Sequence, residues 1–461
     1  MPASHESGRP RGPSPKALVA LECARALGSF VLVPPRALIY AVRRGKLRRE
    51  LEGYLQRPAS VESPANAQLE GLPERPLRVF VSAAEPSGET HALRFVDALK
   101  DVCGELGAPA PEFLGLGSPK LAERGVRILA DPVARAAMGS DVVRSLGFYL
   151  GLVEDSARAF REEQVDLFVP VDSPALHAPL GRIARRYGVP TVHYVTPQLW
   201  GWAPWRASSY RKAVDRTLSI LPFEPAWFEA RSIPVGHVGH PQVDALAEEQ
   251  RAGKIAAPTT PPGLLVLLPG SRVSVVQRNL PWMLSAAART RLAMPELEVA
   301  ISSAGDRVRP HIEAICKEAG AGWAELHEGE LHELLGRARV ALSVSGTVLI
   351  DLLVRRIPSV VIYRLKGALG TFLAPRALTV PWFSSVNLLA GREVFPEYAF
   401  HGEGPLEEVS ARLVSCYKDE RERARALEGL EAAAGALGPD GAAKRAARHA
   451  LEVWKTASQT P

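Results

Sequence analysis

Five loops combine residue types that can do chemistry. Asp172 ends the apolar run DLFVPVD and precedes Ser173-Pro174. A carboxylate at that place deprotonates a hydroxyl if it faces a cleft, or caps the next helix if it does not. In AAEPSGETHA (83–92), Ser87, Gly88 and the N–H groups after them suit an anion or a sugar oxygen, and Glu85 suits a sugar hydroxyl. A plain capping turn, with Ser87 as the cap and Glu89 in the first turn, uses the same residues. LLPGSR (267–272) delivers Arg272, whose planar fork of donors matches phosphate oxygens when it is not simply solvated. In Ser345-Gly346-Thr347, the glycine allows close backbone approach, and the hydroxyls and N–H groups of a helix start suit a diphosphate. Thr347 and Asp351 stand four apart, so a helix would show both on one face, with Asp351 placed for a ribose diol; ordinary capping is again the alternative. The fifth loop, NLLAGRE (387–393), groups Asn387, Arg392 and Glu393.

Other polar and aromatic sets are less specific. His193, His237 and His240 have no metal-ligand spacing and read as core or hinge histidines. Trp200, Trp202 and Trp205 in QLWGWAPWR read equally as a sugar-stacking or interfacial set and as core aromatics.

These loops need a scaffold that presents strand ends. From residue 77, short apolar runs alternate with helical periodicity: LRVFVSA (77–83), PEFLGLG (111–117), DLFVPVD (166–172), PTVHYV (190–195) and RTLSILP (216–222). The pattern restarts at GLLVLLPG (263–270), LEVAISS (297–303), VALSVS (340–345) and SVVIYRL (359–365). Buried strands alternating with amphipathic helices predict parallel sheets covered on both faces, and the restart predicts two Rossmann-like domains facing a cleft. The expected division is an extension and linker over 1–76, one domain over 77–250 and a second over 251–461 with outer helices, joined through EEQRAGKIAAPTTPPG.

Composition supports a folded chain: 46% of 461 residues are hydrophobic and 23% charged. Cys23, Cys103, Cys316 and Cys416 are scattered without redox or zinc spacing. A net charge of +6 favours an anionic partner, and the spread of basic residues without a recognised signature argues against nucleic acid. The first fifteen residues are expected to be disordered. The apolar stretch 17–33, interrupted by Glu22 and Arg25 and closed by Pro34-Pro35, is too short and polar to span a bilayer, which takes ~20 apolar residues. With Arg43, Arg44, Lys46, Arg48 and Arg49 behind it, it reads as an interfacial helix or as a helix capping the globular body. Residues 56–76 read as a linker.

Taken in order, AEPSGE (84–89), GLGSPKLAERG (115–125), AMGSDVV (137–143), VDSP (171–174), HYVTPQLWGW (193–202), LPFEPAWF (221–228), VGHPQVD (238–244), LLPGSR (267–272), SGT (345–347) and NLLAGRE (387–393) resemble the lipid-A-disaccharide synthase family of inverting GT-B glycosyltransferases. The resemblance implies transfer of a diacylated glucosamine from UDP to the 6-hydroxyl of diacylglucosamine 1-phosphate, with no metal or organic cofactor. It places Asp172 on the general base and Glu85 with Ser87 on the first glycine turn. Arg272, Ser345, Gly346, Thr347, Asn387, Arg392 and Glu393 fall on the donor side. It also implies a cytoplasmic protein, peripheral on the inner face of the inner membrane. Its partner would be an anionic lipid surface, met by an apolar face of Val142, Val143, Leu146, Phe148, Tyr149, Leu150 and Leu152; an oligomer is compatible with this. An ordinary buried helix face is the alternative for that stretch.

This chain departs from the family pattern at several places. Ala175 and Val275 stand where acidic residues are usual, Asp351 where Glu is usual, Glu89 where Asp is usual and Pro86 where Ala is usual. Two readings stay open on sequence: an active synthase, or a divergent member that acts on another glycolipid or binds lipid without catalysis.

Overall fold

Runs such as VFV (79–81) and LLVLL (264–268) are apolar at every position, so both faces of their strands have to be covered. The computed structural model, which describes residues 12–137, 142–253, 263–365, 367 and 378–459, covers them with helices on both sides. AMGSDVV and the 248–263 connection fall partly outside those residues.

Among the described residues the first sheet holds β1 (Arg78–Ala83), β2 (Glu112–Leu116), β3 (Val126–Ala130), β4 (Leu167–Val171), β5 (Val192–Tyr194), β6 (Arg216–Ser219) and β7 (Val235–His237). Its spatial order is β3-β2-β1-β4-β5-β6-β7, all parallel. The second holds β8 (Leu264–Leu268), β9 (Val299–Ile301), β10 (Ala324–Leu326), β11 (Ala338–Val344), β12 (Ser359–Arg364) and β13 (Glu397–Phe400), in the order β10-β9-β8-β11-β12-β13, also parallel. In each sheet the chain builds outward one way and then reverses. The reversals lie between β1 and β4 and between β8 and β11. Crevices beyond the carboxyl ends of such strand pairs are where open α/β sheets bind ligands.

The last helix, Ala442–Gln459, was expected on the outside of the second domain. It instead packs Ala446, Ala447, Ala450 and Leu451 into one core with Val79 and Val81 of β1 and with Leu99 of the helix Pro86–Glu105. Small residues let the backbones approach closely there. Asp244 fixes the return by accepting from the N–H groups of Gly441, Ala442 and Ala443 at 2.7, 3.0 and 3.0 Å, a carboxylate on a helix start.

The extension forms two helices, Pro15–Val31 and Val33–Leu55, bent 52° from one another. Ser14 caps the first through the Ala17 N–H. Pro34 and Pro35 do not stop the chain from being helical: they sit in the first turn of the second helix, where no intrahelical N–H is required. No single described helix is long and apolar enough to cross a membrane. The 56–76 tract is docked on the body, with Ala59 and Glu62 donating to the Pro222 and His237 carbonyls and Leu69 buried in the core of the first sheet.

Candidate active site

Asp172 follows β4 directly and turns back on itself. It and Ser173 both take left-handed backbone angles, φ 56° and 44°, a conformation that costs a non-glycine residue roughly 1–2 kcal/mol. Several hydrogen bonds hold it there. The Asp172 N–H donates to the Tyr194 carbonyl at 2.9 Å, and the Asp172 carbonyl accepts from two imidazoles, His177 Nδ1 at 2.5 Å and His193 Nε2 at 2.8 Å. A carbonyl only accepts, so both rings are donors on those atoms and their other nitrogens must accept. His177 Nε2 accordingly takes the Ser82 hydroxyl at 2.8 Å, and His193 Nδ1 takes the Tyr210 hydroxyl at 2.9 Å, which in turn lies 2.8 Å from Thr217 Oγ1. Burial pushes His177 down to about 3 and His193 to about 4, which keeps both rings neutral and in these tautomers.

The backbone is therefore fixed while the Asp172 carboxylate stays partly open. Burial raises its pKa, the Ser173 N–H opposes that, Glu85 adds to it and Arg272 opposes it. These charges face Asp172 from the loops after β1 and β8. Gly88, in the first turn of Pro86–Glu105, is packed so closely that a Cβ there would stand 3.2 Å from the Val171 carbonyl and 3.5 Å from Asp172 Cβ. The glycine thus seats the Ser87-Gly88 turn beside the carboxylate. Glu85 is the residue before that helix, and its carboxylate accepts from Arg272 at 3.0 Å, a bridge between the two domains. Glu89 points elsewhere, accepting from the N–H and hydroxyl of Ser118 at 2.6 and 2.8 Å.

On the second sheet, Gly270 takes φ 104° and lets LLPGSR turn over Val275 and Val344 to present Arg272. Across the reversal, β11 ends in Ser345-Gly346-Thr347. Ser345 Oγ donates to the Phe383 carbonyl at 3.2 Å, Thr347 precedes the helix Val348–Val354 without a side-chain cap bond, and among the described residues no atom beyond the chain neighbours lies within 4 Å of where a Cβ on Gly346 would stand. Packing among the described residues does not demand that glycine.

On the donor side, the expected residues meet partners within the chain or stand apart. Asn387 is fully buried with its amide spent inside the fold: Oδ1 accepts from Val394 and Phe395 N–H, both at 2.8 Å, and Nδ2 donates to the Phe395 carbonyl at 2.8 Å and Glu397 at 3.2 Å. It holds a loop rather than offering a contact. Arg392 and Glu393 are exposed and do not gather with it, the Arg392 side chain lying toward Gly429 on the helix Glu420–Gly435. Asp351 is half-buried and accepts from Gln242 of the helix Pro241–Arg251 at 2.6 Å. Burial raises Asp351 to about 6 against that bond.

Sequence patterns also missed two residues that shape the site. His177 carried no signal beyond its place five residues after Asp172. Glu397 accepts from the N–H groups of Phe383 and Ser384, both at 2.9 Å, and from Asn387, so it ties the segment that receives Ser345 to β13. Burial raises Glu397 to about 7. Of the tryptophans, Trp200 is a core residue donating to buried Glu224 at 3.0 Å, Trp205 packs edge-on to Tyr40, and Trp202 is exposed. His237 and His240 are buried, with His240 Nδ1 accepting from the Gln242 N–H at 3.1 Å. In the apolar face expected over 142–152, Leu152 belongs to the core and Leu146 is exposed; the side chains at 142 and 143 lie outside the described residues.

Comparison with known proteins adds an independent line. Residues 79–434 match the family described as lipid-A-disaccharide synthetase. The lipid-A-disaccharide synthase of Myxococcus xanthus is 34% identical over 388 residues, covering 82% of this chain and 98% of that one. The enzyme of that name from Alkalilimnicola ehrlichii is 32% identical, covering 70% and 85%. Among solved structures, S. aureus MnaA with UDP aligns with a TM-score of 0.54 at 12% identity, covering 80% of this chain and 94% of that one. The UDP-GlcNAc 2-epimerase of Neisseria meningitidis bound to UDP-GlcNAc aligns at 0.52 and 12%, covering 82% and 99%. At that identity the solved structures speak to the two-domain fold alone. The sequence matches go further: the chain belongs to the lipid-A-disaccharide synthase family.

Proposed function

We propose that the chain transfers a diacylated glucosamine from UDP to the 6-hydroxyl of diacylglucosamine 1-phosphate, releasing UDP. The observation that carries this reading is the pairing of a partly open carboxylate, Asp172, with a cation, Arg272, at the facing sheet reversals, joined by Glu85. Asp172 takes the proton from the 6-hydroxyl as its oxygen bonds to the sugar C1. The C1–O bond to the diphosphate breaks on the opposite face, inverting the anomeric centre, and the electron pair leaves on UDP. Arg272 neutralises charge growing on that leaving group, for which it exchanges its contact with Glu85. Freed in this way, Glu85 is placed for a sugar hydroxyl, and Ser87 with its helix start for another oxygen. Ser345, Gly346 and Thr347 border the donor, with the open space over Gly346 on that side. Asp351, already held by Gln242, fits the family's ribose contact only if it changes partner.

Acylated substrates reside in a bilayer, so the reading includes a peripheral place on the cytoplasmic face of the inner membrane, against anionic lipid. Purified protein incubated in detergent with both acylated precursors should release UDP and disaccharide 1-phosphate in equal amounts. Absence of turnover while UDP still binds would overturn the reading in favour of a non-catalytic glycolipid binder.

A further inference from the structure

The family match begins at residue 79, and the extension before it is not absorbed by the proposed chemistry. Its two helices are seated firmly at their outer ends, the start of the first and the end of the second. Glu22 is buried and paired with Arg182 at 2.5 Å, Glu50 pairs with Arg231 at 3.0 Å, and Arg44 Nε donates to the Leu378 carbonyl at 2.9 Å. Leu18 packs with Leu152 and Phe160, and Leu51 and Leu55 share a core with Phe228 and Leu264. The elbow between them is bare. Every residue from 24 to 35 is exposed, and Leu27, Phe30, Leu38 and Val42 keep 70, 77, 70 and 81% of their surface in contact with solvent. A contiguous apolar tip on a rigid mount marks a surface that is covered in use.

The charge around the tip decides what covers it. Between residues 26 and 49 there is no Asp or Glu, while Arg36, Arg43, Arg44, Lys46, Arg48 and Arg49 are all basic. A second copy of this chain, docked tip to tip about a two-fold axis, would set that cationic stretch against itself. An anionic bilayer complements it, taking the apolar tip below the headgroups and the basic residues at their level. The helix Pro15–Val31 is about 25 Å long at 1.5 Å per residue, short of the ~30 Å hydrocarbon core, and the 52° bend prevents the pair from forming one straight span. The bent pair is thus shaped to lie in the interface. It packs on the helix Val142–Glu162, which exposes Leu146, and its Tyr40 meets Trp205 three residues from exposed Trp202.

We propose that the N-terminal helix pair is an interfacial anchor that inserts its 27–42 elbow into an anionic bilayer and thereby holds the cleft at the membrane surface. The purpose of the anchor rests on the acylated-substrate reading, but its test needs neither substrate. Full-length protein is mixed with phosphatidylglycerol–phosphatidylethanolamine vesicles or with phosphatidylcholine vesicles, and bound protein is measured by flotation. The wild type should bind the anionic vesicles at least tenfold more than the neutral ones. L27S/F30S/L38S/V42S should lose that binding tenfold or more with an unchanged melting temperature and unchanged turnover in detergent, and R43E/K46E/R49E should lose the preference for anionic lipid. Vesicle binding by the serine variant within twofold of wild type overturns the proposal. So does a lipid-free dimer that the serine variant splits, which would make a second copy the occupant. Failed turnover with intact vesicle binding strikes the enzymatic reading alone.

Discussion

Arg272 donates to Glu85 at 3.0 Å, joining the loop after β8 to the loop after β1 across the cleft between the two sheets. The side chains remain 74% and 41% exposed, so the pair contributes little to stability, about 0–1 kcal/mol as exposed ion pairs do. Its position predicts a kinetic role. Arg272→Ala should leave the melting temperature within ~2 °C of wild type while lowering kcat by about 10²–10³, the usual effect of removing one donor to a developing charge. Lysine at 272 should recover part of that loss, since it keeps the charge but not the fork. Melting curves and steady-state UDP release measure both; equal loss of stability and activity would make Arg272 structural.

Asp172→Asn keeps the shape and the backbone contacts with His177 and His193 but removes the base. Turnover should fall by about 10²–10⁴, with UDP affinity and melting temperature retained. The pH profile gives a second readout. A base works ionised, so kcat/KM should decline as pH falls through the Asp172 pKa. Burial places that limb above the ordinary Asp value of about 3.9. The asparagine variant should lose the limb.

Much of this site was legible before the structure because ligand loops follow central strands, and central strands advertise themselves. VFVSA, LFVPV, LLVLL and VALSV are buried on both faces and read as near-continuous apolar runs, broken only by Ser82 and Ser343. The strands that escaped notice are β3, β7, β10 and β13, the four sheet edges. An edge strand has a neighbour on one side only. VRILA is fully buried only at Val126 and exposes Arg127, AEL is partly exposed, and VGH is too short to show a period. The surroundings of two polar residues were hidden for a different cause: Asn387 and Asp351 have the side chains a ligand wants, but the partners that hold them in the fold, Val394, Phe395 and Gln242, come from other turns or from the other domain. No local pattern encodes that competition.

Asn387 provides a test of positioning against contact. Asn387→Asp replaces an amide that donates to the Phe395 carbonyl and Glu397 with a carboxylate facing both. Leaving buried acceptors unpaired costs about 1–3 kcal/mol, so the variant should melt visibly lower. Activity should fall with it, because Glu397 then loosens the Phe383–Ser384 segment that receives Ser345. Full stability with a pure rise in donor KM would show instead that the amide meets the ligand directly.

The histidine pair under Asp172 predicts a pH-dependent cost. Replacing His193 with Phe fills the ring's space but leaves the Tyr210 hydroxyl with Thr217 alone and removes one of two donors to the Asp172 carbonyl. At pH 7.5 this should destabilise by about 1–3 kcal/mol, measured by urea unfolding. The folded ring resists protonation until about pH 4, whereas an unfolded histidine takes up its proton near 6.5. Between those values the unfolded chain binds more protons, so the wild type loses stability as pH falls, by up to about 1.4 kcal/mol per pH unit for this group. The phenylalanine variant has no such proton to gain. The gap between the two proteins should therefore close as pH drops from 6.5 toward 4, while buried carboxylates such as Glu397, common to both, cancel in the difference. A gap that widens on acidification would mean that His193 is charged in the fold, which would reverse its role from donor in a neutral network to counter-ion for Asp172.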